Sequence, residues 1–238
     1  MEREFYIFGE PIDTKLGQVR FLTYKEYLMN IGDLNAMSMN ILHIYYQYRK
    51  AFEKDNKEAM DALEELKQGR LYDFVRESRD FWEAYENVFK LAMEDEEMVA
   101  RVMSDADTFM YYRELTMDMN MLSEDEVNPN PEIQKGIEMS RKIKSEGGEK
   151  QTPTDIITSI VAGTPNSFGD VCSMTVLQVY SVFYRIGAFK SYDTTTLFAT
   201  VSSEAKIESW SKNIDMFAKQ SSGIKKKDFD KKYGSLLN

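Results

Sequence analysis

Apolar residues recur every three or four positions over much of the chain, the spacing of an amphipathic helix. In KEAMDALEELKQ, residues 57–68, they fall at Ala59, Ala62, Leu63 and Leu66, which share one helical face. The aromatic residues Phe81, Tyr85 and Phe89, within residues 70–93, recur at the same helical spacing. The pattern predicts helices over residues 35–54, 57–68, 70–93, 96–103, 107–119 and 131–144.

Further helices are predicted towards the C-terminal end. A Thr-Pro pair at residues 152–153 supplies a favourable cap and first position for a helix over residues 154–163. After a turn at residues 164–173, the stretch MTVLQVYSVFYRIGAFKSYDTTTLFATV, residues 174–201, predicts a long helix. A serine that follows it is expected to cap a last helix over residues 204–219.

The N-terminal segment has a different pattern. REFYIFG at residues 3–9 and GQVRFLT at residues 17–23 are rich in aromatic and β-branched residues and flank EPIDTKL. They predict a short β-hairpin. TYKE then places Thr23 three residues before Glu26, the signature of a capping box that opens a short helix.

The fold class predicted is mainly α: a helical bundle-like protein with a small N-terminal β-hairpin and a C-terminal helical subdomain. Two Asn-Pro pairs and the sequence SEGGEKQTP interrupt the helical pattern between residues 123 and 151. The predicted domains are the N-terminal hairpin with its helices at 1–122, a linker with a charged helix at 123–151, a helical subdomain at 152–218 and a basic, flexible tail at 219–238.

Composition narrows the class of protein. The chain has a formal net charge of −10 and a pI near 4.8, which argues against binding to a phosphate backbone. Its one cysteine excludes an internal disulfide framework and fits a reducing compartment. No secretory signal is recognisable, and Gln178 and Arg185 interrupt the longest apolar stretch before it reaches the length needed to cross a bilayer. We therefore expect a protein that is neither secreted nor membrane-spanning.

The residues that carry catalysis are scarce. His43 is the only histidine and Cys172 the only cysteine, too few to close a structural zinc site. SDADTF and SEDEVN offer carboxylates without the register of an EF-hand, and no glycine-rich phosphate loop is present. We expect no catalytic residue, no metal and no cofactor, and hence no enzyme.

Charge is distributed unevenly. Residues 94–132 hold twelve acidic residues and two arginines, whereas residues 219–232 hold six lysines and two aspartates. This asymmetry fits solvated surfaces, and it also suits electrostatic engagement of partners or self-association through oppositely charged ends. The fifteen methionines serve either as core filler or as an adaptable apolar binding surface.

The helix predicted over residues 174–201 is the strongest candidate for function. Its polar stripe is narrow, at Gln178, Ser181 and Arg185, so most of its surface must be buried in its own subdomain or against a partner. We expect it to be the central helix, with these neighbours: Ile156, Ile157, Ile160, Ile207 and Trp210. Aromatic residues often anchor interfaces, so the partner-binding candidates are Tyr180, Phe183, Tyr184 and Trp210. Their alternative role is in the core.

The same residues carry a resemblance. MTVLQVYSVFYR at 174–185, YDTTTLFATV at 192–201 and KIESWSKNID at 206–215 resemble the C-terminal region of the tail assembly chaperones of long-tailed, siphovirus-type bacteriophages and prophages of Gram-positive bacteria. GEPIDTKLGQVRFLTYKEYL at 9–28 is similar to the opening of that family, a hairpin followed by a helix.

The resemblance implies a function in viral morphogenesis. Such chaperones bind the long, helical tape measure protein, keep it soluble and promote assembly of the tail tube around it. The partners implied are the tape measure protein and the tail tube protein, with no nucleic acid and no membrane. The location implied is the cytoplasm of the infected or lysogenic bacterial host, and the protein is expected to be absent from the mature virion.

Two alternatives remain open from the sequence. One is a phage structural or adaptor protein that stays in the particle, which the protein content of purified virions would distinguish. The other is a helical DNA-binding regulator that uses residues 152–185. Residues 152–190 have no net charge, and the segment offers few side chains that could contact base edges.

Overall fold

The computed structural model describes residues 2–51, 57–124, 126–146, 151–202 and 206–217. The fold is mainly α, with one two-stranded antiparallel sheet among these residues. The strands are β1 (Ile12–Asp13) and β2 (Gln18–Val19). The helices are α1 (Tyr24–Met29), α2 (Ile31–Ser38), α3 (Ile41–Ala51), α4 (Lys57–Gln68), α5 (Leu71–Glu77), α6 (Arg79–Met93), α7 (Glu96–Ser104), α8 (Ala106–Met119), α9 (Pro131–Glu146), α10 (Pro153–Gly163), α11 (Phe168–Ser173) and α12 (Val176–Ala199).

The small N-terminal hairpin is confirmed, but its strands are shorter than predicted. Ile12 pairs with Val19, whereas the predicted strand at residues 3–9 is wrong. Arg3–Phe8 forms a 3₁₀ helix that ends at Gly9, whose φ of 70° lies in the left-handed region. Tight three-residue turns direct only Tyr6 into the core, where its ring meets Phe21 edge to face. The apolar and aromatic residues of this segment did not distinguish a 3₁₀ helix from a strand.

The capping box predicted at the start of α1 is confirmed. The Thr23 hydroxyl accepts a hydrogen bond from the Glu26 backbone N–H, and the Glu26 carboxylate accepts one from the Thr23 backbone N–H. Both Nη groups of Arg20 donate to the two Glu26 oxygens, each at 2.9 Å. The Arg20 guanidinium therefore lowers the pKa of Glu26 from 4.5 to about 2, and the Thr23 donors add to this effect.

A pH dependence follows from this site. Because the pKa of Glu26 is lower in the folded chain than in the unfolded chain, its stabilisation is present above pH 4.5 and is lost as the pH falls towards 2. We expect Glu26→Gln to remove about 1 kcal/mol at pH 7, a modest value because the site is partly exposed. Urea titrations between pH 7 and pH 2.5 should show wild type and variant converging. Curves that stay parallel would contradict the assignment, and Glu97→Gln on the exposed face of α7 is the control.

The single helix predicted over residues 35–54 is wrong. Met39 has extended backbone (φ −74°, ψ 132°) and separates α2 from α3. The break is held from a distance in sequence, because the buried Arg113 donates to the carbonyls of both Met37 and Met39. Asn40 then caps α3 by accepting a hydrogen bond from the His43 N–H. The helix predicted over residues 70–93 is likewise broken, at the extended Ser78 between α5 and α6.

Two large apolar clusters organise the described residues. The main cluster joins the N-terminal segment to α2 and to α5 through α8, with Tyr85, Phe89 and Phe109 packed ring against ring. The second cluster joins α1, α10, α11 and α12. Its fully or nearly fully buried members are Tyr24, Ile156, Ile160, Val171, Val176 and Val179. The helices predicted at 57–68, 96–103, 107–119, 131–144 and 154–163 are confirmed as α4, α7, α8, α9 and α10.

The region after residue 163 departs from prediction twice. The predicted turn contains α11, which begins with a capping box between Ser167 and Asp170. The predicted last helix is wrong for the described residues 206–217, which form turns, a bend and irregular backbone. The remaining residues of that predicted helix, and the basic tail, lie outside the described ranges. None of the described helices has both the length and the apolar content needed to span a membrane.

Candidate partner-binding surface

Helix α12 begins with a well-defined local structure. Thr175 caps it in a capping box with Gln178. The Gln178 amide also donates to the Ile7 carbonyl at 2.8 Å, which ties the helix to the N-terminal 3₁₀ helix. The Tyr24 N–H donates to the Met174 carbonyl at 2.7 Å, so the starts of α1 and α12 lie side by side. These contacts fix the first turn of α12 between the two clusters.

The proximal half of α12 is a core element. Val176 and Val179 are buried in the second cluster, and Leu177 reaches the main cluster. Of the predicted neighbours, Ile156, Ile157 and Ile160 do pack in the second cluster. Ile207 is 49% exposed, and the Trp210 ring meets the helix further along, at Phe189.

The distal half of α12, residues 187–199, projects from this core. A Cβ placed on Gly163, the last residue of α10, would lie 3.2 Å from the Ile186 side chain, so α10 stops at this level. One residue later, a Cβ placed on Gly187 would meet no atom within 4 Å. At 1.5 Å per residue, the helix continues for about 18 Å beyond this point. The helix therefore extends well past the end of α10.

The projecting end is apolar. Leu197 is 72% exposed, Phe198 62% and Val201 81%. Between residues 186 and 201 the charged residues are Lys190 and Asp193 alone. Scattered exposed apolar residues are normal on a protein surface, whereas clustered ones are typical of interaction sites. We call Leu197, Phe198 and Val201 the distal apolar surface.

The four candidate residues predicted from the sequence divide between core and surface. Tyr180 and Phe183 are half-buried against the second cluster, and the Tyr180 ring meets Tyr24 edge to face at 6.2 Å. Tyr184 is 45% exposed and stacks on Tyr180, while Trp210 is 42% exposed. Burial raises the pKa of the Tyr180 hydroxyl. Tyr184 and Trp210 thus remain candidates for partner contact, and their role stays a prediction.

The segment over residues 206–217, which we call the return segment, runs back along α12. Arg185 donates to the carbonyls of Trp210 and Lys212, at 2.6 and 3.0 Å. The Trp210 ring meets Phe189 edge to face at 5.7 Å. Phe217 packs near Tyr6, beneath the Arg3 guanidinium. Because Arg185 engages carbonyls that a helix would use internally, this segment stays irregular.

Leu197, Phe198 and Val201 were not among the candidate residues predicted from the sequence. The available signal was the low charge of residues 186–201, but such a stretch is equally typical of a buried helix. Elsewhere, His43 contacts Gln47 on α3 and Cys172 is half-buried in α11. No group of three His, Cys, Asp or Glu side chains in the described ranges is arranged to hold a metal ion.

Because the position of Gly187 is open, we expect it to accept a larger side chain. Replacing Gly187 by alanine is expected to stabilise the chain by about 0.5 to 1 kcal/mol, because the new methyl group meets no atom and glycine is a poor helix former. Gly163→Ala is the matched control and should destabilise, because its methyl group would press on Ile186. Urea unfolding of both variants tests this. Destabilisation by Gly187→Ala would show that something covers that position.

Comparisons with known proteins match two consecutive parts of the chain to one family. Residues 1–129 match the YomV N-terminal domain, and residues 150–215 match the YomV second domain. The chain is 30% identical over 228 residues to an SPbeta prophage-derived protein, YomV, of Bacillus subtilis (strain 168). That match covers 95% of this chain and 94% of the relative. No solved structure matches the chain.

Proposed function

This chain belongs to the YomV family, a prophage protein family, and we propose that it is a tail assembly chaperone. In this proposal it binds the tape measure protein of its phage, keeps that protein soluble, and promotes assembly of the tail tube. It does so by binding alone, without catalysis or cofactor. It acts in the cytoplasm of the infected or lysogenic bacterium and leaves before the particle is complete.

The observation that carries the proposal is the distal apolar surface of α12. Leu197, Phe198 and Val201 are 72%, 62% and 81% exposed at the far end of α12 and just beyond it. A helix that presents apolar residues along one side can pair with an amphipathic client helix, whose anchors recur every three or four residues. A long helical client, which would otherwise expose its apolar stripe to water, suits such a surface.

The surrounding features fit the same role. Tyr184 adds an aromatic side chain on the same helix, and Trp210 adds another beside Phe189. Aromatic residues at the margin of an apolar patch supply large contact areas at low entropic cost. The proximal half of α12 packs in the second cluster, so the proposed client-binding end is attached to the core of the protein. We propose that the client lies along the distal half of α12.

Coexpression tests the proposal directly. The tape measure protein of the same phage should be insoluble when produced alone and soluble when produced with this chain. Purified particles should lack the chain, whereas assembling cells contain it. A tape measure protein that stays insoluble would contradict the proposal. Recovery of the chain in fixed amount from purified particles would instead favour a structural or adaptor protein.

A further inference from the structure

The distal half of α12 carries two charged residues of opposite sign. Lys190 and Asp193 are both exposed and lie three residues apart, and they are the only charges between residues 186 and 201. Across the described ranges, no ion pair joins either side chain to another residue. A lone cation and a lone anion therefore sit on an otherwise uncharged, projecting helix.

These charges share a helical face with two apolar residues. Ile186, Lys190, Asp193 and Leu197 follow one another at intervals of four, three and four, the spacing of a coiled-coil seam. The order is apolar, basic, acidic, apolar. Reversing the direction of the helix exchanges the two charges and the two apolar residues. The face is therefore complementary to an antiparallel copy of itself.

We propose that the distal halves of α12 from two copies of this chain pair antiparallel. The two-fold axis passes between Ser191 and Tyr192, so that Lys190 of each copy faces Asp193 of the other. In the same register Ile186 of each copy lies against Leu197 of the other. The twelve-residue overlap spans about 17 Å along the helices. The charged pairs set the register, and the apolar pairs supply most of the attraction.

The surrounding contacts leave this face accessible. The return segment covers the side of α12 that carries Arg185 and Phe189, while Lys190, Asp193 and Leu197 remain exposed. Ile186 lies at the edge of the second cluster, where α10 stops. Leu197 of the second copy would extend that cluster past Gly163. The second copy therefore continues an existing core rather than starting a separate one.

The proposed contact is also compatible with the net charge of the chain. The chain carries a net charge of −10, so two copies repel each other unless their contact is locally neutral. The proposed contact has one cation and one anion on each side. This pairing goes beyond the proposed chaperone function and does not depend on it, because it is measured with no client present.

Charge reversal in two separate variants tests the pairing. Sedimentation equilibrium over a concentration series should show a reversible dimer for the wild-type chain. Lys190→Asp leaves two acids facing two acids, and Asp193→Lys leaves two lysines facing two lysines. Each variant alone is expected to dimerise about tenfold more weakly. An equimolar mixture of the two variants restores both attractive pairs, and its dimer should return to wild-type strength.

The control uses an exposed charge pair on another helix. Arg79 and Glu83 form an ion pair on α6, and Arg79→Glu and Glu83→Arg should each leave the dimer unchanged. A wild-type chain that stays monomeric would overturn the proposal and leave the distal half of α12 to a client alone. Single variants that dimerise like wild type would overturn it too. So would a mixture that remains as weak as its components, because a contact within one helix cannot be restored by mixing.

Discussion

Replacing Arg113 by methionine is expected to lower the free energy of unfolding by about 3 kcal/mol. Arg113 is only 1% exposed, and its guanidinium donates to the Met37 carbonyl, the Met39 carbonyl and the Tyr85 hydroxyl. Its Nη1 also lies 2.5 Å from a carboxylate oxygen of Glu124. Methionine fills much of the same volume but donates no hydrogen bond, so the Met39 carbonyl loses the Arg113 donor and the Met37 carbonyl keeps only the Tyr85 hydroxyl.

The measurement is urea unfolding of the Arg113→Met variant, followed by circular dichroism. Arg101→Met is the matched control, because Arg101 is 61% exposed and pairs with Glu97 on the surface of α7. That control should change stability by no more than about 0.5 kcal/mol. Equal effects of the two substitutions would show that Arg113 does not hold the break between α2 and α3.

Replacing Leu197 and Phe198 together by glutamine is expected to weaken client binding by about 30-fold or more, the cost of losing an interface hot spot. The fold should be unaffected, because the two side chains are 72% and 62% exposed and glutamine is a good helix former. The unfolding free energy is expected to stay within about 0.5 kcal/mol of wild type. Titration of the soluble client complex and urea unfolding supply the two readouts.

A control variant on another surface makes this result specific. Ile133 and Met139 are 51% and 65% exposed on α9, and their double substitution by glutamine should leave client binding unchanged. Val179→Gln shows what loss of a core residue looks like. Val179 is completely buried, so this substitution should unfold the second cluster. A distal variant that unfolds in the same way would show that Leu197 and Phe198 belong to a core.

Local signals in the sequence predicted much of this fold. The capping box at Thr23 and the Thr-Pro pair at residues 152–153 depend on residues close together in the chain, and both helices begin where those signals predict. The amphipathic repeat located α4, α7 and α8 to within a residue or two. In each case the residues that determine the helix lie close together in the chain, so the local sequence pattern is sufficient to predict it.

The errors have long-range causes. The break at Met39 depends on Arg113, which lies 74 residues away, and the irregular return segment depends on Arg185, which lies 25 and 27 residues from the carbonyls that it binds. No local pattern records such contacts. The sequence keeps a helical repeat at both places, and the helix is interrupted there by tertiary contacts.

The candidate surface illustrates the same limit. The sequence showed that α12 is long and weakly charged, and the prediction that Ile156 and Ile160 pack against it was right. It did not show which half of the helix is covered, because that depends on where α10 stops against Ile186. The aromatic candidates consequently fell on the proximal half or the return segment, whereas the most exposed apolar residues lie at the distal end.

The most direct test of the chaperone proposal is affinity capture from cells that are producing the phage. The wild-type chain, the Leu197→Gln/Phe198→Gln variant and the Ile133→Gln/Met139→Gln control would each carry the same tag, with captured proteins identified by mass spectrometry. We predict that the tape measure protein accompanies the wild type and the control and is lost from the distal variant. Recovery of the tape measure protein with none of them, or equally with all three, would contradict the account.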